Sequence, residues 1–287
     1  MNVTYHFTSM DKTGAARTSA LMINPTAKVP LIVPKKAKHK FGGSLPGRKS
    51  WDHFKAHPSF THTMNVAPGQ GNEGKKTDVV HAVYEPHIGI TFPTGVQGDP
   101  GGKLFFLPPR WDSASYLRNS TGGGKPGKRG AATFAIVGKL NYSAKDRAPE
   151  AGVALHIRQA FKNPEKTKPY MAAKKVPGQE PGNGLRRLYW DKKRHDENWR
   201  RAVAQCRRHY GPDYTEGGRE CDEYPFASTH QGAAHSEYDP DVKKFNFSIR
   251  PVWKDDNKAA GDLLKSFYAK NRILDSGNDS FIVQITG

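Results

Sequence analysis

Glycine and proline punctuate this chain so often that no long regular element survives between them. There are 29 glycines and 21 prolines among 287 residues. No apolar run approaches the roughly 18–20 residues that a bilayer-spanning helix needs, and the same breakers disfavour a coiled coil or a helical bundle. What remains is a set of short elements joined by long loops. Only 36% of the residues are hydrophobic, and the formal net charge is +18. Such an excess says little about fold, but it favours a polyanionic partner.

The charge is unevenly spread. Residues 1–155 hold 21 basic against 9 acidic side chains, residues 156–219 hold 16 against 7, and residues 220–287 hold 8 against 11. The last stretch is thus locally acidic within a basic protein. The first half reads as β-rich and loop-rich, with Val29–Val33, Val79–Tyr84, Leu104–Leu107 and Thr133–Leu140 as strands rich in β-branched and aromatic residues. The second half begins with a short helix over Glu150–Phe161. A longer helix follows over Tyr189–Tyr210, in which Trp199, Ala202, Val203, Cys206 and Tyr210 form one apolar stripe and Trp199 is read as core. Its polar faces carry Lys192, Lys193, Arg200, Arg201, Arg207 and Arg208, candidates for phosphate contact beside Tyr189 and Trp190. Then come the extended segment Glu220–Thr229, a strand over Lys244–Trp253, a helix opening near Asp255–Asn257, and a closing strand over Phe281–Ile285. The class is α+β. The expected division is residues 1–150 as a β-rich accessory region and 151–287 as a second domain.

Cys206 and Cys221 are the only cysteines, and the polar, turn-rich loop between them favours a disulfide over two buried thiols. The chain opens without the basic-then-apolar pattern of a signal peptide. Either the protein is cytoplasmic, or it is secreted and its leader has been removed; the disulfide fits secretion better.

Asp222 and Glu223 are adjacent carboxylates on an extended segment, so they point to opposite faces. One can meet a hard divalent cation while the other makes a structural hydrogen bond. Asn257, at the start of the next helix, offers a neutral amide oxygen, with a plain helix cap as its simpler role. Extended segment, strand and helix in that order make a ββα arrangement.

Asp222-Glu223-Tyr224-Pro225 and Asp256-Asn257-Lys258-Ala259-Ala260-Gly261 occur in that order, and the chain closes on RILDSGNDSFIVQ. Together they resemble the NucA/NucB family of secreted bacterial deoxyribonucleases over about the last half of the chain. The resemblance implies a ββα-metal type nuclease domain using one divalent cation, Mg²⁺ or Mn²⁺. It makes Asp222 the general base, a role that other such nucleases give to a histidine. Glu223 and Asn257, with Asp222, hold the metal or its waters, and Lys258 meets a phosphate. One departure is His230-Gln231-Gly232, where members often carry Glu before the Gly. Gln231 cannot supply charge. His230 is a candidate acid or base there, with a surface histidine as its plainer reading. Asp262 is held in reserve as a ligand.

The expected function is metal-dependent, largely sequence-nonspecific endonucleolytic hydrolysis of DNA by a monomer, with RNA left open and no membrane partner. The competing class is a non-catalytic binder of polyanions with a structural cation site.

Overall fold

The apolar runs of the first half pair into two antiparallel sheets. In the computed structural model, residues 1–13, 17–67, 70–71, 79–114, 116–117, 131–275, 277 and 279–287 are described. The chain forms two compact units, Met1–Ile136 and Val137–Gly287.

The first unit contains β1 (Asn2–His6), β2 (Met22–Val33), β3 (His39–Gly43), β4 (Lys49–Ser50), α1 (Trp51–Ala56), β5 (Ser59–Val66), β6 (Val80–Thr91), β7 (Gly101–Lys103), β8 (Pro109–Asp112) and β9 (Ala131–Phe134). One sheet has the order β1-β5-β3; the other runs β4-β2-β6-β8-β9, with β7 also on β6. Val3 and Met64 from the first sheet pack with Ala82, Tyr84 and Trp111 from the second, so the apolar faces meet as in a sandwich. Residues 104–107, expected as a strand, are not one, and Phe105 is 87% exposed. The Leu104 amide still bonds to Pro86, but Pro108 and Pro109 follow and cannot donate to a ladder.

The second unit contains β10 (Gly138–Ser143), α2 (Ala151–Lys162), β11 (Leu185–Arg186), α3 (Lys192–Tyr210), β12 (Arg219–Tyr224), β13 (Ser248–Trp253), α4 (Lys254–Lys270) and β14 (Ser280–Thr286). The run expected as a single strand over 133–140 is therefore two: β9 ends in the first unit, and β10 pairs in parallel with β14 in the second. That pairing also places the division between units ahead of residue 150. β11 lies antiparallel on the other edge of β14. Leu140, Tyr142, Val153, Ile157, Leu185, Phe267 and Phe281 are among the residues that fill the core between this sheet and α2 and α4.

β12 and β13 form a separate antiparallel ribbon, and α4 follows β13 without a break. Register places Asp222 opposite Arg250 and Tyr224 opposite Ser248, so these four share one face of the ribbon. Cys221 and Glu223 alternate onto the other face, where α3 packs. α3 is capped by Asp191, whose side chain accepts from the Arg194 amide, and it stops at Gly211, whose φ of 89° suits glycine.

Cys206 of α3 is bonded to Cys221 of β12. The bridge spans 15 residues, for which the loop-closure effect is about 3 kcal/mol. The double variant Cys206→Ser/Cys221→Ser is expected to lose about that much unfolding free energy in urea titration. A loss below about 0.5 kcal/mol would show that the covalent tie contributes nothing beyond the packing of α3 on the ribbon.

Candidate active site

β12 is an edge of its ribbon, and a cavity of about 510 Å³ runs along it. Glu220, Asp222 and Glu223 line it from β12, Asn257 and Gly261 from α4, and His195, Trp199 and Val203 from α3. The three residues singled out in sequence as the chemical core, Asp222, Glu223 and Asn257, thus meet at one cavity. Asn257 is not a helix cap: α4 begins at Lys254, so Asn257 lies in its first turn, and its Nδ2 donates to Glu220 Oε2 at 3.0 Å.

The two neighbouring acids differ in surroundings, as alternation along a strand requires. Asp222 is 5% exposed, and its Oδ2 lies 2.6 Å from Nδ1 of His156, on α2. With the aspartate ionised, Nδ1–H donates, and Nε2 faces the Ser248 hydroxyl at 2.7 Å. Among the described residues the hydrogen bond of the Asp222 carboxylate is made at Oδ2, and Asp222 lines the cavity. The Glu223 carboxyl is pushed up to about 8, first by burial and then by the adjacent Asp222 charge, with the Ala227 amide opposing. A cation at this wall would relieve that penalty.

Other expected site residues lie elsewhere. His230 does not line the cavity; its Nε2 is 3.0 Å from Asp275 Oδ1, a carboxylate that also accepts from the Tyr189 and Trp190 amides. Gln231 is buried and accepts from the Arg186 amide, a structural duty that needs no charge. Lys258 is exposed and paired with Asp262 at 2.9 Å, which occupies both side chains outside the cavity. On α3, Arg201 pairs with Glu237 at 2.8 Å and Lys193 with Glu197 at 3.9 Å. Lys192 lies over the Tyr189 ring, and Arg200, Arg207 and Arg208 are exposed, with no carboxylate partner among the described residues.

Trp199 is not core. It is 54% exposed on the cavity wall, because the buried row of α3 is Asn198, Ala202 and Cys206, one position away from the row His195, Trp199 and Val203. Asn198 is fully buried and holds the loop after β12, donating to Ala227 and Thr229 carbonyls and accepting from the Ala234 amide. Gly232 lies so close that a Cβ there would sit 2.4 Å from the Asn198 amide.

Among the described residues, no three His, Cys, Asp or Glu side chains converge into a metal cage. The donors on the β12 and α4 sides of the cavity are oxygens, from carboxylates and one amide, as suits a hard cation bound through one or two side chains and several waters, while His195 lies on the α3 side. The resemblance implies that two acids and a helix amide share one site, and Asp222, Glu223 and Asn257 line one cavity. Residues 181–284 match the Deoxyribonuclease NucA/NucB family. The matched NucA/NucB span includes Glu220, Asp222, Glu223 and Asn257, together with α3 and both strands of the ribbon, and it implies a deoxyribonuclease. It leaves out α2, which supplies His156. No curated protein and no solved structure matches the chain. No helix among the described residues is long and apolar enough to cross a membrane.

Sequence reading missed His156, Ser248, Glu220 and the exposure of Trp199. His156 had a visible signal: it lies with Val153, Ile157 and Ala160 on the buried face of an amphipathic helix, where an unpartnered imidazole would be costly.

Proposed function

We propose that the second unit is a metal-dependent endonuclease that hydrolyses DNA phosphodiester bonds with little sequence preference, secreted and monomeric, with the first unit as an accessory region. The observation that carries this reading is the convergence of Asp222, Glu223 and Asn257 on one cavity inside the family-matched span. One divalent cation, Mg²⁺ or Mn²⁺, is the cofactor; when bound it neutralises charge on the phosphate and on the departing oxygen. Glu223 and Asn257 would hold it directly or through water, with Asp222 close enough to share that duty. Asp222 Oδ1 takes the proton from the attacking water, while His156 keeps Oδ2 in place. Glu220 accepts from the Asn257 amide nitrogen, so the amide oxygen would be the atom offered to the cation. Arg200, Arg207 and Arg208, and Lys258 when released from Asp262, meet backbone phosphates and give affinity without reading bases.

Supercoiled plasmid incubated with Mg²⁺ or Mn²⁺ is expected to be nicked, and EDTA is expected to stop it. Binding to plasmid with no nicking in either metal would instead establish the non-catalytic polyanion binder.

The raised Glu223 carboxyl has a thermodynamic consequence. Its protonated form is favoured in the folded chain, so the associated stability is full below the ordinary value of 4.5 and is lost as pH rises towards about 8. In EDTA, the thermal midpoint of the parent protein is expected to fall relative to Glu223→Gln between pH 5 and 8, and saturating Mn²⁺ is expected to shrink the difference. Parallel curves for the two proteins would refute the assignment.

A further inference from the structure

We propose that the α3 wall of the cavity is a nucleobase-binding subsite, in which Trp199 stacks on the base of a nucleotide whose phosphate lies at Asp222 and Glu223, so that unstacked or single-stranded DNA is preferred to an intact duplex. The proposal rests on the nuclease reading for the phosphate and goes beyond it for the base.

Trp199 leaves over half its surface in water and lines the cavity, so its indole is available to a flat ligand there. Among the described residues no ring or cation lies over it, whereas the Trp253 ring carries the Arg219 guanidinium at 5.1 Å and Trp190 meets Tyr189 edge-on. Its backbone is anchored: the next row of the same helix is buried through Asn198 and Ala202 and is bonded to β12 through Cys206, so the helix position that carries the indole is fixed relative to Asp222 and Glu223. An anchored backbone lowers the entropy lost on binding.

Size and lining agree. A cation with six waters, at about 30 Å³ per water, fills well under half of 510 Å³. The remaining volume is bounded on the α3 side by His195, Trp199 and Val203, with no carboxylate. An acidic wall suits the cation and phosphate; an aromatic and aliphatic wall suits a flat base. The exposed arginines of α3 continue the same helix as backbone contacts. A base inside a duplex cannot offer its face to Trp199 unless it leaves the stack, and that cost is smallest in a single strand.

The test uses the full chain with Trp199→Ala and Trp199→Phe, on a single-stranded oligonucleotide, its duplex, and the same single strand carrying abasic sites. For Trp199→Ala, kcat/KM on the intact single strand is expected to fall about 10- to 100-fold, mostly through KM. On duplex the fall is expected to be smaller. Trp199→Phe is expected to recover most of the loss, and abasic sites are expected to slow the parent protein but not Trp199→Ala. Thermal midpoints within a degree or two exclude misfolding, as the side chain is exposed. Loss of less than twofold on the single strand, or equal losses on intact and abasic strands, would overturn the subsite. A parent protein that cuts no DNA in Mg²⁺ or Mn²⁺ would overturn the nuclease reading instead; quenching of tryptophan emission by the oligonucleotide in EDTA, present in the parent and absent in Trp199→Phe, would then still report the base contact.

Discussion

Replacing Asp222 by alanine is expected to lower DNA cleavage by about 10²–10⁴-fold while leaving DNA binding within a few-fold of the parent. The two halves of that statement have separate causes. In the proposed mechanism cleavage depends on the Asp222 carboxylate, whose Oδ2 is engaged by His156 and whose other oxygen receives the proton from water. In the same proposal binding depends on backbone phosphates meeting the exposed Arg200, Arg207 and Arg208 of α3. Asp222→Asn keeps the size and the hydrogen-bonding reach of the side chain but cannot act as a base at neutral pH, so it is expected to fail as badly as alanine. Asn257→Ala is expected to behave differently, raising the Mg²⁺ or Mn²⁺ concentration needed for half-maximal rate by about 10- to 100-fold. Rates measured against metal concentration separate the two. An Asp222→Asn protein that nicks plasmid at the parent rate would remove Asp222 from the chemistry.

Local motifs made part of this site legible and topology hid the rest. Asp222 and Glu223 could be found because adjacent acids on an extended segment announce themselves, and Asn257 because the family motif around it is contiguous. Their opposite surroundings follow from strand alternation alone, with Asp222 bonded to His156 and Glu223 carrying the raised carboxyl. His156 lies 66 residues before Asp222 and Glu220 lies 37 before Asn257, and no periodicity links such pairs. α3 shows a subtler failure. Its apolar stripe was visible, but on a helix the rows i, i+4, i+8 starting at 198 and at 199 are neighbours, and composition does not say which one is buried. The buried row contains Asn198, a polar residue whose hydrogen bonds are all to a loop far along the chain. The cavity row contains Trp199, the most hydrophobic-looking of the set. In the first unit the strands with β-branched residues were readable, whereas residues 104–107 were misread because apolarity alone supplies no partner strand.

His156→Ala is expected to destabilise the protein by about 3–5 kcal/mol and to slow cleavage at saturating Mg²⁺ by about 10²-fold. Both effects come from one removal. The Asp222 carboxylate is almost entirely shielded from water, and without the imidazole it keeps its burial but loses its hydrogen-bonding partner. Asp222–His156–Ser248 has the order of contacts of a hydrolytic triad, at 2.6 and 2.7 Å, yet Ser248 is fully buried and the neighbouring Ile249 amide already donates to Lys168. The buried Ser248 hydroxyl is spent on the imidazole, so the chain of contacts acts on Asp222 rather than through Ser248. Its effect is to fix one oxygen and with it the orientation of the carboxylate. The imidazole also lines a second, smaller cavity of about 180 Å³ with Lys166, Lys168 and Arg250, so its loss would admit water behind the acid. His156→Asn separates these contributions, because an amide N–H placed near Nδ1 can still donate to Asp222 while nothing accepts from Ser248. It is expected to recover most of the cleavage rate but only part of the stability. Equal rates for His156→Ala and the parent, in a protein shown by circular dichroism to be folded, would mean that Asp222 needs no such support.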